Sequence, residues 1–475
     1  MLLIIADDLG KYDISHFGQS PLQTPNIDEL GRKGVTFRDA YASGAICSPS
    51  RAGLLTGRYQ NRFGFESQPM QRYVRNRLEY LAFRHVIDTD EMRPNLYDDY
   101  PQSAQLLKQG LPTSEITLAE LFKGIGYNTA IIGKWHLGYG ESNHPSRFGF
   151  DTQYGFVEAF SLYDQEDDPD VVNYYHDLFW EEHIWAQERN GPAAITRNGR
   201  EIPEERYLTD AIVEEAKTFI KASKEQDKPF FAYLPFNAPH TPFQARLQDY
   251  DALPQIEDEN QRIYLAMIRR LDWAVGELTR YLKDEGLAED TLIIFSSDNG
   301  GAAYTGATDN GPLRAGKFTQ FEGGLAVPLM MYWPGSLEQQ EIQSPVILTD
   351  IFATLTTLAG VALPDDRVYD SINLLDSDVE SDASERPLLW RSDYNRAVRY
   401  KNWKLLHNKR NGTVRLYDLT QDVGEREDLH EARAGIVCKL MSMLDEWEED
   451  LLDPSWPRVM DYLSASHDEE YWFAI

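Results

Sequence analysis

Cysteine is scarce in this chain: 475 residues carry only Cys47 and Cys438. Two thiols cannot build the disulfide framework of a stapled scaffold, so the fold has to rest on a buried core. No apolar run is long enough to span a bilayer. Positive charge is also short, with 46 Lys and Arg against 77 Asp and Glu and a formal net charge of −31. A field of that sign repels nucleic acid and anionic membrane, so neither is expected as a partner. An anionic substrate would need basic groups concentrated at one place. No internal repeat and no low-complexity linker is visible. A secretory leader is missing too. The chain opens straight into Leu2-Leu3-Ile4-Ile5-Ala6, and Met1 is read as replacing a leader already removed.

Against these absences stand 42 % hydrophobic and 12 % aromatic residues, enough for a large core. The length predicts two or three domains, or one large domain with an appendage. Cys438 falls in the amphipathic helical pattern Ile436-Val437-Cys438-Lys439-Leu440-Met441 and is expected in the core. Only Cys47 has a chemical context, in Cys47-Ser48-Pro49-Ser50-Arg51-Ala52-Gly53-Leu54-Leu55-Thr56-Gly57-Arg58. Proline is tolerated in a first helical turn, so a helix is predicted to start near Pro49 with Cys47 just ahead of it. Free N–H groups and the positive end of the helix dipole favour an anion there and would make a cysteine acidic and reactive.

Other polar residues gather at the ends of predicted buried strands, where open α/β sheets bind ligands. Leu2 to Ala6 runs into Asp7-Asp8, a carboxylate pair that must be solvated, paired or held on a metal. Thr129 to Ile132 runs into Gly133-Lys134-Trp135-His136-Leu137-Gly138, where alternation in an extended segment points Lys134 and His136 the same way. Pro229 to Leu234 leads to Asn237-Ala238-Pro239-His240-Thr241-Pro242, a rigid strand end carrying His240. Thr291 to Phe295 leads to Asp298-Asn299, a second pair of hard oxygen donors. His144, His176 and His183 read instead as surface or satisfied residues. Met267, in an amphipathic helix from Asp258 to Lys283, reads as core, and Asp309-Asn310 before Gly311-Pro312 as an ordinary turn. An early helix follows Thr24-Pro25, with Thr24 as its cap.

Cys47-x-Pro49-Ser50-Arg51 followed by Thr56-Gly57-Arg58 resembles the signature of the type I sulfatases of the alkaline phosphatase superfamily. Gly133 to Gly138 matches that family's next motif without a substitution, and Phe148-Gly149-Phe150-Asp151 looks like the landmark after it. The matches run in family order from Asp7 to Leu429. The resemblance implies that a maturation enzyme oxidises Cys47 to formylglycine, whose hydrated aldehyde is the nucleophile. It implies calcium on Asp7, Asp8, Asp298, Asn299 and the modified residue 47, an oxygen set that suits Ca²⁺ or Mg²⁺ rather than zinc. It further implies that Lys134 and Lys317 hold the sulfate group while Arg51 orients the diol. His240 would protonate the leaving oxygen, and His136 would take a proton from the second hydroxyl as sulfate departs. One departure is Ala326, which stands where the family has an arginine and bears on local packing more than on chemistry.

The fold implied is α/β: a large mixed, mostly parallel sheet sandwiched by helices, alkaline-phosphatase-like, over residues 1–362. Short strand patterns near Arg396, Trp403 and Arg415, a helix from about 432 to 452 and an aromatic tail predict a smaller α+β subdomain over 363–475, built on an antiparallel sheet. Two irregular stretches read as insertions at the site mouth. The first, 68–110, carries Tyr80, Phe83, His85, Tyr97 and Tyr100. The second, 160–206, is acidic and aromatic, and is either a solvated loop or a substrate-selective wall. The expected activity is hydrolysis of sulfate monoesters on a sulfated algal or glycosaminoglycan-like polysaccharide or its oligosaccharides, in the bacterial periplasm or outside the cell. Phosphomonoester or phosphonate hydrolysis on the same scaffold, and carbohydrate binding without catalysis, are the alternatives.

Overall fold

The computed structural model describes residues 1–18, 20–69, 78, 81, 92–94, 109–177, 181–456, 458, 460–466 and 469–475. The five aromatic and histidine residues singled out between Tyr80 and Tyr100 lie outside this set. A ten-stranded sheet forms the centre, in the spatial order 340–342, 35–37, 329–332, 293–297, 2–6, 230–235, 128–134, 152–156, 196–197 and 200–201. The strands Ile293–Ser297, Leu2–Ala6, Phe230–Pro235, Asn128–Lys134 and Thr152–Phe156 run parallel, and antiparallel pairs flank them on both sides. This is the mixed, mostly parallel sheet that the continuous apolar runs call for, since a strand covered on both faces has no polar side.

The alternation within one strand shows the two faces directly. Leu2, Ile4 and Ala6 join one buried cluster, with helices Pro25–Lys33, Leu208–Glu225 and Glu259–Asp284 packed over it. Leu3 and Ile5 join another, covered by helices Cys47–Thr56, Leu118–Gly124 and Asp350–Leu358. Met267 is fully buried in the first cluster, as expected. The helix Pro25–Lys33 corrects one reading: Thr24 does not cap it. Thr24 Oγ1 donates to Asp28 Oδ1 at 2.7 Å, while Asp272 Oδ1 on the long helix accepts from the N–H groups of Asn26 and Ile27 at 2.9 and 2.8 Å. A buried carboxylate from 245 residues away serves the helix N-terminus instead of a local hydroxyl.

Beyond the main sheet, Leu388–Ser392, Asn395–Tyr400, Trp403–Asn408 and Thr413–Asp418 form a four-stranded antiparallel meander over which helix Ala434–Glu448 packs. That helix buries only Leu440, Leu444 and Trp447, one stripe at helical spacing. Cys438 lies off the stripe and is exposed, which corrects its expected place in the core. The tail folds back as the hairpin Met460–Ser466 and Glu469–Ala474, pairs with Met92–Pro94, and sets Tyr471 and Phe473 against Phe321.

The meander meets the main body through buried charge. Lys404 Nζ bonds Glu322 Oε1 at 2.8 Å and lies 3.0 Å from Glu425 Oε1, and Tyr41 donates to Glu322 Oε2 at 2.7 Å. Burial and the neighbouring Glu322 charge raise the Glu425 carboxyl from 4.5 to about 7, against the pull of Lys404. An acid whose folded pKa is raised contributes stability below its unfolded value and loses it as pH climbs through the folded one. The melting temperature should therefore fall between pH 4.5 and about 7 through this group, and Glu425→Gln should flatten that segment of the calorimetric pH profile. Parallel profiles for the two proteins would refute the assignment.

Candidate active site

Because four of the parallel strands are neighbours, their carboxyl ends bring chain-distant motifs to one edge. Asp298 and Asn299 follow Ile293–Ser297, Asp7 and Asp8 follow Leu2–Ala6, His240 follows Phe230–Pro235, and Lys134 and His136 close Asn128–Lys134. The backbone is contorted there: Asp8 and His136 have φ of 63° and 56°, in the left-handed region that costs a non-glycine residue about 1–2 kcal/mol. Extended alternation thus stops at Lys134, and a turn rather than a strand aims His136. Gly133 is required for a steric reason, since a Cβ there would sit 2.0 Å from the Pro235 carbonyl oxygen.

The helix Cys47–Thr56 begins at Cys47 itself rather than near Pro49, and ends at Gly57 with φ of 67°. Ser48 Oγ donates to the His136 carbonyl at 2.5 Å, tying the helix start to the turn. Cys47 Sγ–H points to Asp7 Oδ1 at 3.2 Å and lies 3.6 Å from Asp8 Oδ1. Here the structure corrects the expectation of an acidic thiol: burial, then the charges of Asp298 and Asp7, push it well above its ordinary value, against Lys134 and Lys317. The helix N-terminus is outweighed by burial and by the carboxylates beside it.

Three carboxylates and three cations fill the centre. Lys134 Nζ bonds Asp7 Oδ2 at 2.5 Å, and Lys317 Nζ bonds Asp8 Oδ2 at 2.8 Å. Arg51 donates through Nε to Asp298 Oδ2 at 2.7 Å and through Nη1 to the Lys134 carbonyl at 3.1 Å. Burial would raise both Asp7 and Asp8, but Lys134 and Lys317 respectively, with His240, hold them below the usual range. Burial and Asp7 raise Asp298 in spite of Arg51. His240 lies 3.5 Å from Asp8 Oδ2 through Nε2, and Nδ1 sits 2.5 Å from the Thr241 carbonyl, so Nδ1 carries a proton and Nε2 faces the site. His136 is fully buried with no hydrogen-bond partner for either ring nitrogen among the described residues, and burial followed by Lys134, Arg51 and Lys317 lowers its pKa far below the ordinary histidine value.

A metal fits this set. Asp7, Asp8, Cys47 and His240 offer ligand atoms within 4.8 Å of one another. Asn299 donates through Nδ2 to Asp8 Oδ1 at 2.8 Å while its own buried Oδ1 lacks a partner among the described residues, which is where a cation would complete it. Oxygen donors dominate, as hard divalent ions prefer.

Three tyrosines carry no motif and were not read from the sequence. Tyr233, buried in Phe230–Pro235, lies beside Arg51. Tyr304, stacked on Phe318 at 5.1 Å, neighbours Lys317 and Asp8. Tyr163 bonds the loop that carries His240. Tyr163 belongs to the 160–206 stretch, which is not wholly a solvated loop: Gln165, Glu166 and Asp167 are exposed, whereas Val171–Tyr174 pairs with Phe243–Arg246 and Thr196–Arg197 extends the main sheet. His176 is satisfied by Glu181 and Asn260 at 3.1 and 2.9 Å, and Asn310 is a buried turn residue bonding Gly301. Ala326 packs in a short strand against Tyr41, and Arg399 from the meander lies over that ring at 4.9 Å, so packing around Ala326 is intact.

Comparison with known proteins identifies the family. The family model described as Sulfatase matches residues 1–361. The N-acetylgalactosamine-6-sulfatase of Canis lupus familiaris is 32% identical over 415 residues, 85% of this chain and 70% of that one. The N-acetylgalactosamine-6-O-sulfatase of Bacteroides thetaiotaomicron is 27% identical over 94% of this chain and 92% of its own. Among solved structures, Ps i-CgsB in complex with k-i-k-neocarrahexaose superposes with a TM-score of 0.79 at 29% identity, covering 96% of this chain and 94% of that one. With its carboxylates, cations and histidines gathered at one sheet edge, the chain belongs to the sulfatase family and is a hydrolase of sulfate esters.

Proposed function

We propose that this sulfatase acts through a formylglycine made from Cys47, on a sulfated algal or glycosaminoglycan-like polysaccharide or its oligosaccharides. The observation that carries the mechanism is Cys47 itself, 1% exposed, at the start of a helix and directed at Asp7 and Asp8. A maturation enzyme reaches a residue so deeply buried only before the chain folds around it. The carbohydrate class is supported by the saccharide bound to Ps i-CgsB and by the relatives that act on N-acetylgalactosamine 6-sulfate. The catalytic unit is residues 1–362, with 363–475 as a C-terminal subdomain, and the reading extends to a periplasmic or secreted bacterial enzyme. No helix among the described residues is long and apolar enough to cross a membrane.

Asp7, Asp8, Asp298, Asn299 and the modified residue 47 would hold Ca²⁺ or Mg²⁺. When bound, the ion polarises the sulfate and the hydrated aldehyde. Asp7 Oδ1 is the nearest carboxylate oxygen to the side chain at position 47 and accepts the proton of the attacking hydroxyl. Lys134 and Lys317 hold the non-bridging sulfate oxygens as point charges, and Arg51 fixes Asp298 and the carbonyl of Lys134. His240, protonated on Nε2 as well as Nδ1, delivers the Nε2 proton to the leaving oxygen. His136, with two unpartnered nitrogens, takes the proton of the second hydroxyl as sulfate leaves.

Two measurements test this. Protein co-expressed with a formylglycine-generating enzyme should release sulfate from sulfated oligosaccharides and no phosphate from the corresponding phosphate esters. Cys47→Ser should be slower by on the order of 10⁴-fold and should retain one sulfo group by intact mass, because it lacks the second hydroxyl. Free turnover of the serine protein without an adduct would sink the mechanism, and phosphate release alone would sink the activity. Separately, Ca²⁺ at about a hundredfold over its Kd should stabilise the protein by about 2.7 kcal/mol through mass action. Asp8→Asn and Asn299→Ala should each lose that calorimetric shift, whereas an unchanged shift in both would move the ion elsewhere.

A further inference from the structure

We propose that Tyr163 is a positioning residue that sets His240 for proton delivery, so that the 160–206 stretch serves the chemistry as well as the rim. This rests on the reading of His240 as the acid toward the leaving oxygen. The Tyr163 hydroxyl donates to the Asn237 carbonyl at 2.5 Å and lies 2.9 Å from the His240 carbonyl. The Asn237 carbonyl also accepts from the His240 N–H at 2.8 Å, so one phenol closes the turn that presents the imidazole. The local bonds within Asn237 to Pro242 shape the turn, and the phenol adds a tie from the turn to the 160–206 stretch.

Tyr163 is itself held from every side. It is fully buried, and its ring stacks on Tyr207 with centroids 5.5 Å apart. Its N–H donates to Gln244 Oε1 at 2.7 Å, and its carbonyl accepts from the Leu208 N–H at 2.7 Å and from Arg189. Gln244 lies on Phe243–Arg246, the strand directly after the His240 turn, and its Nε2 reaches Asn173 Oδ1 at 2.9 Å. Both sides of the turn are thus pinned to one insertion. The loop position is set by long-range contacts, and a general acid displaced by a fraction of an ångström loses its hydrogen-bond reach. A phenol so deeply buried that spends its only proton on two backbone oxygens of the acid's own turn is placed to orient, not to touch substrate.

A leaving-group series on the matured enzyme tests it, using a sulfated oligosaccharide that the wild type hydrolyses and aryl sulfates of graded phenol acidity. An alkoxide needs a proton to depart and an acidic phenolate does not, and a general acid is worth roughly 10²–10⁴-fold. Tyr163→Phe, which keeps the ring, should lose about 10- to 100-fold in kcat/KM on the saccharide and less than about threefold on the most acidic phenol. The dependence of log kcat/KM on leaving-group acidity should steepen, in the same sense as His240→Ala and less far. A uniform loss across the series, or none, beside a steep His240→Ala line overturns the proposal for Tyr163 alone. A flat His240→Ala line overturns the acid role and this proposal with it. Should Tyr163→Phe fold poorly, Gln244→Met cuts the tie to the Tyr163 N–H and is read on the same series.

Discussion

Six charges buried at one sheet edge set the terms for everything around them. Asp7, Asp8 and Asp298 are inside the protein with almost no solvent, and an uncompensated carboxylate there would cost several kcal/mol. Lys134, Lys317 and Arg51 offset them from three different segments, so the ends of three strands, the start of one helix and the loop of Lys317 have to arrive together. None of these elements can shift without leaving a charge unpaired. The left-handed backbone at Asp8 belongs to this edge, where the chain bends to bring the carboxylate to Lys317, while Gly133 lets the neighbouring strand approach closely.

The local balance also resolves a conflict in the composition. The chain as a whole, at −31, would repel a sulfated polymer, yet its centre carries as many cations as carboxylates. A divalent ion held among those carboxylates would turn the centre positive against a singly charged sulfate ester. Because the groups are desolvated, their attraction for the ester is not screened in the way that surface charge is. The acid-rich exterior therefore governs solubility and the interior governs capture.

Support for the site reaches far along the chain. Lys404 and Glu425 bond the segment around Glu322, which follows the loop carrying Lys317, and the C-terminal hairpin packs on Phe321. The 160–206 stretch holds the His240 turn from the other side. Regions with no motif of their own thus fix the positions of residues that have one.

The buried parallel strands, and the polar residues at their ends that the fold gathers at one edge, were legible in the sequence. Each motif ends an apolar run, and a run of that kind specifies both the strand and the edge where its last residues emerge. What only the tertiary structure decided has a common cause: it depends on partners distant in sequence, which leave no periodic signal. Asp272 rather than Thr24 caps an early helix, and Cys438 falls off the buried stripe of its own helix. The thiol of Cys47 is raised rather than lowered because three-dimensional packing buries it and then sets Asp298 and Asp7 beside it. Tyr163 and Tyr233 look like ordinary core aromatics until the fold sets one under His240 and the other beside Arg51. Local order decides which groups reach the site; long-range pairing decides their protonation and aim.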